Sequence, residues 1–330
     1  MNALTWSSAQ TAFDRARASS PERTQAQTEI DVLTSRIANY ENQISDLSLI
    51  DLDPGEVIQP ADLPTGPASP NHLLNGGLAL FVGLALGIGF AFLRERLDDR
   101  LAGRDEFEEA IGAPTLAVIP RVTGWRKRER AELPALKAPK GAPAEAYRTV
   151  RTNLLFMARD GDIKTIEITS PATAEGKTTT VANLAVSLAQ AEKRVIAVSC
   201  DLRKPRLHRF FGLTNEVGLT SVLAGTATLT DAILRPFGVD TLRVMSSGPI
   251  PNNPSELLSS DRMEALLAQL RTLADFVVID TPPTLVVSDG LILAPKTDAV
   301  LMVADASTTS HGAARHLREQ LEQVGGNIVG

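Results

Sequence analysis

The chain has 330 residues, of which 43% are hydrophobic and 22% charged, enough for one or two domains with a sizeable core. Its net charge of −6 argues against a nucleic-acid-binding protein, which would carry a basic footprint. The single cysteine, Cys200, excludes an intrachain disulfide, and the four histidines do not form a cluster with zinc-ligand spacing. Cys200 follows the apolar run RVIAVS, which predicts a small buried residue rather than a nucleophile.

The first predicted element is a helix over residues 22–48. Its apolar residues recur at spacings of three, four and seven: Ile30, Leu33, Ile37, Ile44 and Leu47. This spacing is typical of an amphipathic helix or a coiled coil. The next stretch, 53–70, is rich in proline and is predicted to be extended rather than packed.

Residues 73–93 contain no charged side chain and are long enough to cross a bilayer as one helix. The alternative is a fully buried core helix. No Lys or Arg occurs between residues 37 and 93, whereas four arginines follow directly: Arg94, Arg96, Arg100 and Arg104. Because positive residues stay on the cytoplasmic side, we expect the N-terminus outside the plasma membrane and the C-terminal part in the cytoplasm.

A juxtamembrane linker is predicted over residues 94–143. It comprises helical sequence over 94–112, a strand over 115–120, and a basic run over 121–130 that contains Trp125. The basic run would either contact anionic lipid headgroups or form a solvated linker.

From residue 144 onward, apolar strands alternate with helices. Strands are predicted over 164–169, 194–199, 275–280 and 298–305, and helices over 144–158, 179–191 and about 310–324. Continuous apolar strands in such an alternation predict an α/β fold with a mostly parallel sheet covered by helices on both faces. Residues 325–330 resemble the start of another strand, so we expect the chain to be truncated there.

The stretch SPATAEGKTTT (170–180) follows the first of these strands and opens a helix, as a phosphate-binding loop must. Pro171 stands where the usual pattern has its first glycine. The predicted nucleotide-binding residues are Ala174, Glu175, Gly176, Lys177, Thr178 and Thr179. Lys177 would reach the terminal phosphates, and the Thr178 hydroxyl would bind Mg²⁺. The alternative is a chance Gly-Lys-Thr in a surface turn.

Two aspartates end neighbouring strands of the predicted sheet. Asp280 ends FVVID, where a Walker B carboxylate belongs, and Asp201 follows the second strand. Open α/β sheets bind ligands at this edge, so Thr178, Asp201 and Asp280 form the predicted metal site. Arg203 would add positive charge there. Each aspartate could instead be an ordinary turn residue or helix cap.

These motifs resemble those of the bacterial tyrosine kinases of exopolysaccharide and capsule synthesis, in the MinD/ParA-like branch of P-loop ATPases. EAYRTVRTNLLF (145–156) is similar to the family's oligomerisation segment, VSCDLRKPRLHRFFGL (198–213) to its Walker A′ segment, and FVVIDTPP (276–283) to its Walker B motif. GPIPNNPSELLSS (248–260) and SDGLILA (288–294) also fit. The proline-rich stretch and membrane helix resemble the end of a chain-length-determinant (Wzz-type) domain.

The resemblance implies ATP- and Mg²⁺-dependent autophosphorylation on tyrosine that regulates polymer length and export, with Lys177, Asp201 and Arg203 as catalytic residues. It implies a homo-oligomeric ring assembled through Glu145, Arg148 and Arg151. It further implies membrane lipid, the polysaccharide polymerisation and export machinery and a cognate phosphatase as partners, and no nucleic acid.

The corresponding domain prediction is an extracytoplasmic part over 1–72, a transmembrane helix over 73–93, the linker over 94–143 and a P-loop kinase domain over 144–330.

Three features depart from the family pattern. The family's Asp-x-Asp in the A′ motif is reduced to Asp201, with Ser199 at the first position. The two tyrosines, Tyr40 and Tyr147, form no acceptor cluster, and no other membrane helix precedes Tyr40. One alternative is therefore a catalytically weak ATP-binding membrane scaffold that sets chain length. Another is a MinD/ParA-type switch ATPase, although its extra lysine is missing, with Pro171 and Ala172 at the expected positions.

Overall fold

The computed structural model describes residues 11, 20–48, 66, 69–97, 99–101, 103–121, 133–159 and 163–330. The chain forms two compact units, Met1–Gly83 and Leu84–Gly330. The predicted extended structure of 53–70 and the predicted lipid contact of 121–130 fall outside the described residues, apart from Gly66, Ser69, Pro70 and Arg121. Arg121 contacts protein: its guanidinium donates to Asp305 Oδ2 and Ser307 Oγ, each at 3.1 Å.

Two long helices come first. The predicted helix over 22–48 is confirmed as α1, Ser20–Ser48. The predicted apolar helix is α2, His72–Leu97, which is long and apolar enough to cross a membrane and has none of its apolar stretch buried in protein. A core helix of a soluble domain would be covered, so the buried-helix alternative does not describe α2.

The remaining described helices follow in chain order: α3 Arg104–Ile111, α4 Pro134–Lys137, α5 Ala142–Met157, α6 Lys177–Ala189, α7 Leu207–Phe210, α8 Leu219–Ala224, α9 Leu229–Ala232, α10 Pro254–Ser259, α11 Asp261–Leu273, α12 Asp289–Leu293 and α13 His311–Gln323. A 3₁₀ turn spans Ala294–Lys296. The predicted helices over 144–158, 179–191 and 310–324 are confirmed as α5, α6 and α13.

One sheet forms the centre of the second unit. Its strands are β1 Thr165–Thr169, β2 Val195–Ser199, β3 Ile233–Leu234, β4 Leu242–Met245, β5 Phe276–Asp280 and β6 Ala299–Met302, in the spatial order β3-β4-β2-β5-β1-β6. Every pairing is parallel except β3 with β4. The four predicted strands and the mostly parallel sheet are confirmed.

Helices cover both faces, as the apolar strands require. On one face, Ile166 and Ile168 of β1 pack with Val181 and Leu184 of α6 and with Leu154 of α5. On the other face, buried residues of β2 and β5 pack against α11. Near the β6 edge, a third apolar cluster joins β6 to α13 and to α3.

The predicted strand over 115–120 is wrong. These residues, all described, form no strand ladder with any described residue. Two backbone groups of this stretch form hydrogen bonds with side chains instead. Thr115 N donates to Glu108 Oε1 at 2.8 Å, and Asn153 Nδ2 donates to the Leu116 carbonyl at 2.8 Å. Residues 327–330 occupy the position beside β6, with hydrogen bonds from Val300 N to Asn327 O (2.7 Å) and from Met302 N to Gly330 O (2.8 Å).

The strand order brings the predicted motifs together at one edge of the sheet. β5 lies between β1 and β2, and Asp280 is in register with Ile168 on one side and Ser199 on the other. The carboxyl ends of β1, β5 and β2 therefore lie side by side. Each of the three strands leads there into one of the predicted motifs.

Candidate nucleotide and metal site

The loop between β1 and α6 has the backbone shape of an anion cradle. Gly176 has φ 97°, and Ala174 also adopts a left-handed conformation with φ 64°. Glycine adopts such angles freely, whereas alanine does so at a cost of roughly 1–2 kcal/mol. Because the loop ends at the N-terminus of α6, its N–H groups and the helix dipole favour a bound anion.

Side chains of the loop hold this shape without the first glycine of the usual pattern. Ser170 Oγ donates to the Ala172 carbonyl at 2.7 Å, and Ala172 N donates to Glu175 Oε2 at 2.7 Å. The Glu175 side chain is buried and also accepts a hydrogen bond from the Thr309 hydroxyl. Any nucleotide contact of Glu175 would therefore use its backbone N–H and not its carboxylate.

Lys177 folds across the inside of the loop. Its Nζ donates to Ser170 Oγ at 2.9 Å and to the Ala172 carbonyl at 3.2 Å. Burial lowers the pKa of Lys177, while the nearby Asp280, Glu175 and Asp201 act in the opposite direction. A buried ammonium with only neutral hydrogen-bond acceptors is suited to exchange them for phosphate oxygens.

Thr178 and Asp280 meet at the end of β5. The Thr178 hydroxyl donates to Asp280 Oδ1 at 3.1 Å. Asp280 is completely buried, and its Oδ2 has no hydrogen-bond partner among the described residues. Burial first, and then the negative charge of Asp201, raise the pKa of Asp280 to about 7.

This arrangement fits a hard divalent cation. An orphaned buried carboxylate oxygen beside a threonine hydroxyl supplies the oxygen ligands that Mg²⁺ prefers. No group of three or more His, Cys, Asp or Glu side chains with metal-binding geometry occurs in the described ranges. A site of one or two carboxylates that is completed by phosphate oxygens is the usual form for Mg²⁺.

Asp201 is half-buried and fixed by its own loop. Its Oδ1 accepts hydrogen bonds from Arg203 N (3.2 Å) and Lys204 N (2.9 Å). Asp201 is also close enough to Asp280 to shift its pKa, so the structure brings both predicted aspartates to the same edge of the sheet.

Arg203 has a partner that the sequence reasoning missed. Its Nε donates to Asp289 Oδ2 at 2.8 Å, and its Nη2 donates to Asp289 Oδ1 at 3.0 Å and to Ser255 Oγ at 3.2 Å. Asp289 is fully buried at the start of α12. The guanidinium therefore neutralises Asp289 and holds the 201–204 segment against α10 and α12. The signal in the sequence was SDGLILA, in which an aspartate opens an apolar helix.

The predicted oligomerisation residues lie on α5, away from the sheet edge. Within this chain Arg148 pairs with Glu145, with Nε to Oε2 at 2.8 Å, and also donates to the Pro139 carbonyl at 2.7 Å. Arg151 donates to the Ser187 carbonyl at 3.1 Å. The Glu145 side chain is 67% exposed, so its carboxylate is accessible to another molecule.

Tyr147, on the same helix, is buried. Only 1% of it is exposed, burial raises its pKa to about 12, and the Thr180 hydroxyl lies within hydrogen-bonding reach of the phenol. Its hydroxyl is inaccessible to an incoming phosphoryl group in the folded chain.

A parallel α/β sheet with a phosphate-binding loop, a following lysine and an aspartate at the adjacent strand end defines a P-loop nucleotide-binding protein. The family described as AAA domain matches residues 163–328. Tyrosine-protein kinase YwqD of Bacillus subtilis is 41% identical over 196 residues, which cover 59% of this chain and 82% of that protein. The chain therefore belongs to the family of bacterial tyrosine-protein kinases.

Longer relatives and solved structures agree. Tyrosine-protein kinase ptk of Acinetobacter johnsonii is 33% identical over 281 residues, which cover 83% of this chain and 38% of that protein. The chain thus spans about two fifths of the length of that relative. The kinase domain of Escherichia coli tyrosine kinase ETK superposes with a TM-score of 0.65 at 33% identity, covering 70% of this chain and 92% of that domain. The chimerical protein CapA2B2 gives a TM-score of 0.62 at 34% identity and covers 69% of this chain and 98% of that one.

Proposed function

We propose that this chain carries an ATP- and Mg²⁺-dependent protein-tyrosine autokinase that regulates polymerisation and export of an exopolysaccharide or capsule. The observation that carries the proposal is the junction of Lys177, Thr178 and the orphaned Asp280 carboxylate at adjacent strand ends. The tyrosine kinases to which the chain is similar support the choice of reaction among the activities that a P-loop allows.

In this proposal, the backbone N–H groups of 174–179 bind the phosphates and Lys177 neutralises their terminal oxygens. Thr178, Asp280 and Asp201 hold Mg²⁺, which when bound neutralises charge on the transferring phosphoryl group. Asp201 Oδ1 already accepts two backbone hydrogen bonds, so Oδ2 is the oxygen that Asp201 offers to the metal. Arg203 acts through Asp289 as a positioning residue that keeps the 201–204 segment in place.

The decisive experiment measures phosphotyrosine formation by the membrane-reconstituted chain with Mg²⁺, labelled ATP and a tyrosine-rich acceptor peptide. Lys177→Met should abolish the label, while Lys193→Met, beyond the opposite end of α6, should leave it unchanged. Label that persists in Lys177→Met contradicts the proposal. Free phosphate without phosphotyrosine would identify a switch ATPase instead.

A second candidate is an ATP-binding scaffold with little catalysis, and two observations favour it. Ser199 replaces a carboxylate beside Asp280, and the buried Tyr147 offers no acceptor hydroxyl. The scaffold hypothesis predicts that the chain binds labelled ATP with Mg²⁺ yet forms neither phosphotyrosine nor free phosphate. In that case Ser199→Asp should restore transfer if the missing carboxylate is the cause.

We also propose a homo-oligomeric ring in which the exposed Glu145 binds the arginines of a neighbouring chain. Substituting Glu145, Arg148 and Arg151 together by alanine should reduce the oligomer to a smaller species in sedimentation. A matched control removes the exposed pair Arg315–Glu319 on α13. An unchanged oligomer in the triple variant would contradict the assignment.

The proposed location is the plasma membrane, with α2 crossing once, the N-terminus outside and the P-loop unit in the cytoplasm. The arginines Arg94 and Arg96 in the last turn of α2 support this orientation. Membrane lipid, the polysaccharide export machinery and a phosphatase that resets the tyrosines are the partners that this function requires. Protease protection in oriented vesicles tests the topology: digestion from outside should remove α1 and spare the P-loop unit.

A further inference from the structure

An uninterrupted apolar seam runs along α1. Its side chains alternate at spacings of three and four residues: Ile30, Leu33, Ile37, Tyr40, Ile44 and Leu47. In heptad terms, isoleucine occupies the three a positions of residues 30–47, at 30, 37 and 44, and leucine or tyrosine occupies the three d positions, at 33, 40 and 47. In parallel coiled coils, β-branched residues at a with leucine at d favour two strands over three or four.

Within the described part of the unit that contains α1, no other element covers this seam. Ile37, Tyr40, Ile44 and Leu47 have exposed fractions between 41% and 65%. Six large apolar side chains in one stripe, three heptads long when Ala26 is included at the preceding d position, are the pattern of a helix that pairs with another helix.

The charges beside the seam decide which partner fits. Arg36 occupies a g position and Glu41 the following e position, the two that meet between parallel helices. Neither side chain has a partner within the described residues of its own chain. In a parallel, in-register pair, Arg36 of each helix faces Glu41 of the other, which gives two attractive contacts.

An antiparallel pair reverses this outcome. When Ile37 of one helix packs against Tyr40 of the other, Arg36 faces Arg36 and Glu41 faces Glu41. The same two residues then give two repulsive contacts, so the sequence selects against this orientation. The other flanking residues (Glu29, Thr34, Gln43 and Ser48) contribute no like-charged contact in the parallel arrangement.

We propose that α1 is a homodimerisation surface, and that it binds α1 of a second copy of this chain as a parallel, in-register two-stranded coiled coil. Within a larger ring, the coil would join subunits in pairs. The proposal does not depend on phosphoryl transfer, because α1 contributes nothing to the nucleotide site.

Cysteine cross-linking tests the proposal directly, because the chain contains one cysteine. Cys200 is fully buried, so an introduced thiol is the reactive one. Leu47→Cys and Ile30→Cys place it at the two ends of the seam. Asn42→Cys and Ser35→Cys place it at f positions on the opposite face and serve as matched controls. Each single-cysteine chain is oxidised in native membrane vesicles and the covalent dimer is quantified on a non-reducing gel.

Both seam variants should give roughly tenfold more covalent dimer than the two controls, because only facing Cβ atoms come close enough for a disulfide. Self-linking at Leu47→Cys demands the parallel orientation, since an antiparallel pair would place Leu47 against Ile30. Equal linking on both faces, or no linking at the seam, overturns the proposal. If the seam variants do not cross-link, the apolar seam of α1 packs against a helix other than α1 of a second copy.

Charge exchange provides a second test that keeps the helix folded. In the Leu47→Cys background, Arg36→Glu should reduce the dimer several-fold, because it creates two like-charged contacts. Adding Glu41→Arg should restore it. A yield of covalent dimer that stays the same in both variants contradicts the parallel register. Lys177→Met in the same background should leave the yield unchanged, which separates this proposal from the kinase proposal.

Discussion

Asp280→Asn should stabilise the metal-free protein at alkaline pH, although it removes a proposed metal ligand. Asp280 is fully buried, and one of its oxygens has no partner among the described residues. Its folded-state pKa is raised from 3.8 to about 7, by burial and by Asp201. The folded protein therefore binds a proton at Asp280 in a pH range where the unfolded chain has lost it.

The sign and the size follow from proton linkage. Between the two pKa values the native state holds more protons, so the free energy of unfolding falls as pH rises. A shift of about three pKa units corresponds to about 4 kcal/mol at 1.36 kcal/mol per unit, and roughly 3 kcal/mol of this accrues between pH 5 and pH 8. The asparagine variant lacks this titration, so its advantage over the wild type should grow across that range.

The assay is urea unfolding of the solubilised chain in EDTA, followed by circular dichroism at pH 5, 6.5 and 8. Asp298→Asn is the control. Burial raises the pKa of Asp298 less than hydrogen bonds from Thr165 and Lys164 lower it. Asp298 therefore stabilises the folded protein fully at any pH above its unfolded-state pKa, and this stabilisation is lost only in acid. The free energy of unfolding of Asp298→Asn should accordingly lie below that of the wild type by the same amount at pH 5 and at pH 8.

Saturating Mg²⁺-nucleotide should narrow the difference between the two proteins at pH 8. The wild type gains about 2.7 kcal/mol at a ligand concentration one hundred times its Kd, whereas Asp280→Asn should gain little. A difference between wild type and Asp280→Asn that is the same at pH 5 and pH 8 in EDTA would refute the reasoning, because it would mean that Asp280 is not protonated in the folded protein.

Further predictions concern buried groups near the same sheet. Both carboxyl oxygens of Glu167 are buried in β1 without a partner among the described residues, and burial raises its pKa well above the ordinary value. Glu167→Gln should therefore reduce the loss of unfolding free energy that the wild type shows as pH rises above the unfolded-state pKa of Glu167, and Asp280 should account for the loss that remains. Gly218→Ala should cost about 1–3 kcal/mol in urea unfolding, because its Cβ would lie 2.2 Å from the Ser246 carbonyl oxygen. Arg203→Lys should cost about 1 kcal/mol, because a lysine cannot bind the Asp289 carboxylate with two parallel hydrogen bonds; an unchanged midpoint would assign that pair no structural role.

The sequence predicted the core of the fold because that information is local. Buried parallel strands such as VIAVS and FVVID appear as short apolar runs, and the loop that follows Thr169 has a recognisable residue pattern. The position of Asp280 at the edge where such sheets bind ligands was predictable because parallel strands align their carboxyl ends.

What was missed depends on partners distant in the chain. β4 is four residues long and includes Arg243, and β3 has two residues, so neither has a readable apolar period. The stretch 115–120 has the composition of a strand, yet residues 327–330 occupy the sheet edge beside β6.

Two side chains in the site illustrate the same limit. Arg203 was expected to add positive charge at the strand ends, but its guanidinium binds Asp289, which lies 86 positions later in the chain. The Glu175 carboxylate binds the Thr309 hydroxyl, 134 positions away. Neither distance can be inferred from spacing, since both depend on how α12 and the loop before α13 return to the sheet edge.

The register of β2 against β5 has a consequence for charge balance. It places Ser199 directly beside Asp280, and the Ser199 hydroxyl has no hydrogen-bond partner among the described residues. The carboxylates proposed to hold the metal are then two, Asp201 and Asp280, and their combined charge equals that of one Mg²⁺ with the opposite sign. An aspartate at 199 would add a third negative charge, at a buried position. With the serine, the two carboxylates proposed to hold the metal would balance one divalent ion, and the phosphates of the nucleotide would be left to Lys177 and the loop N–H groups.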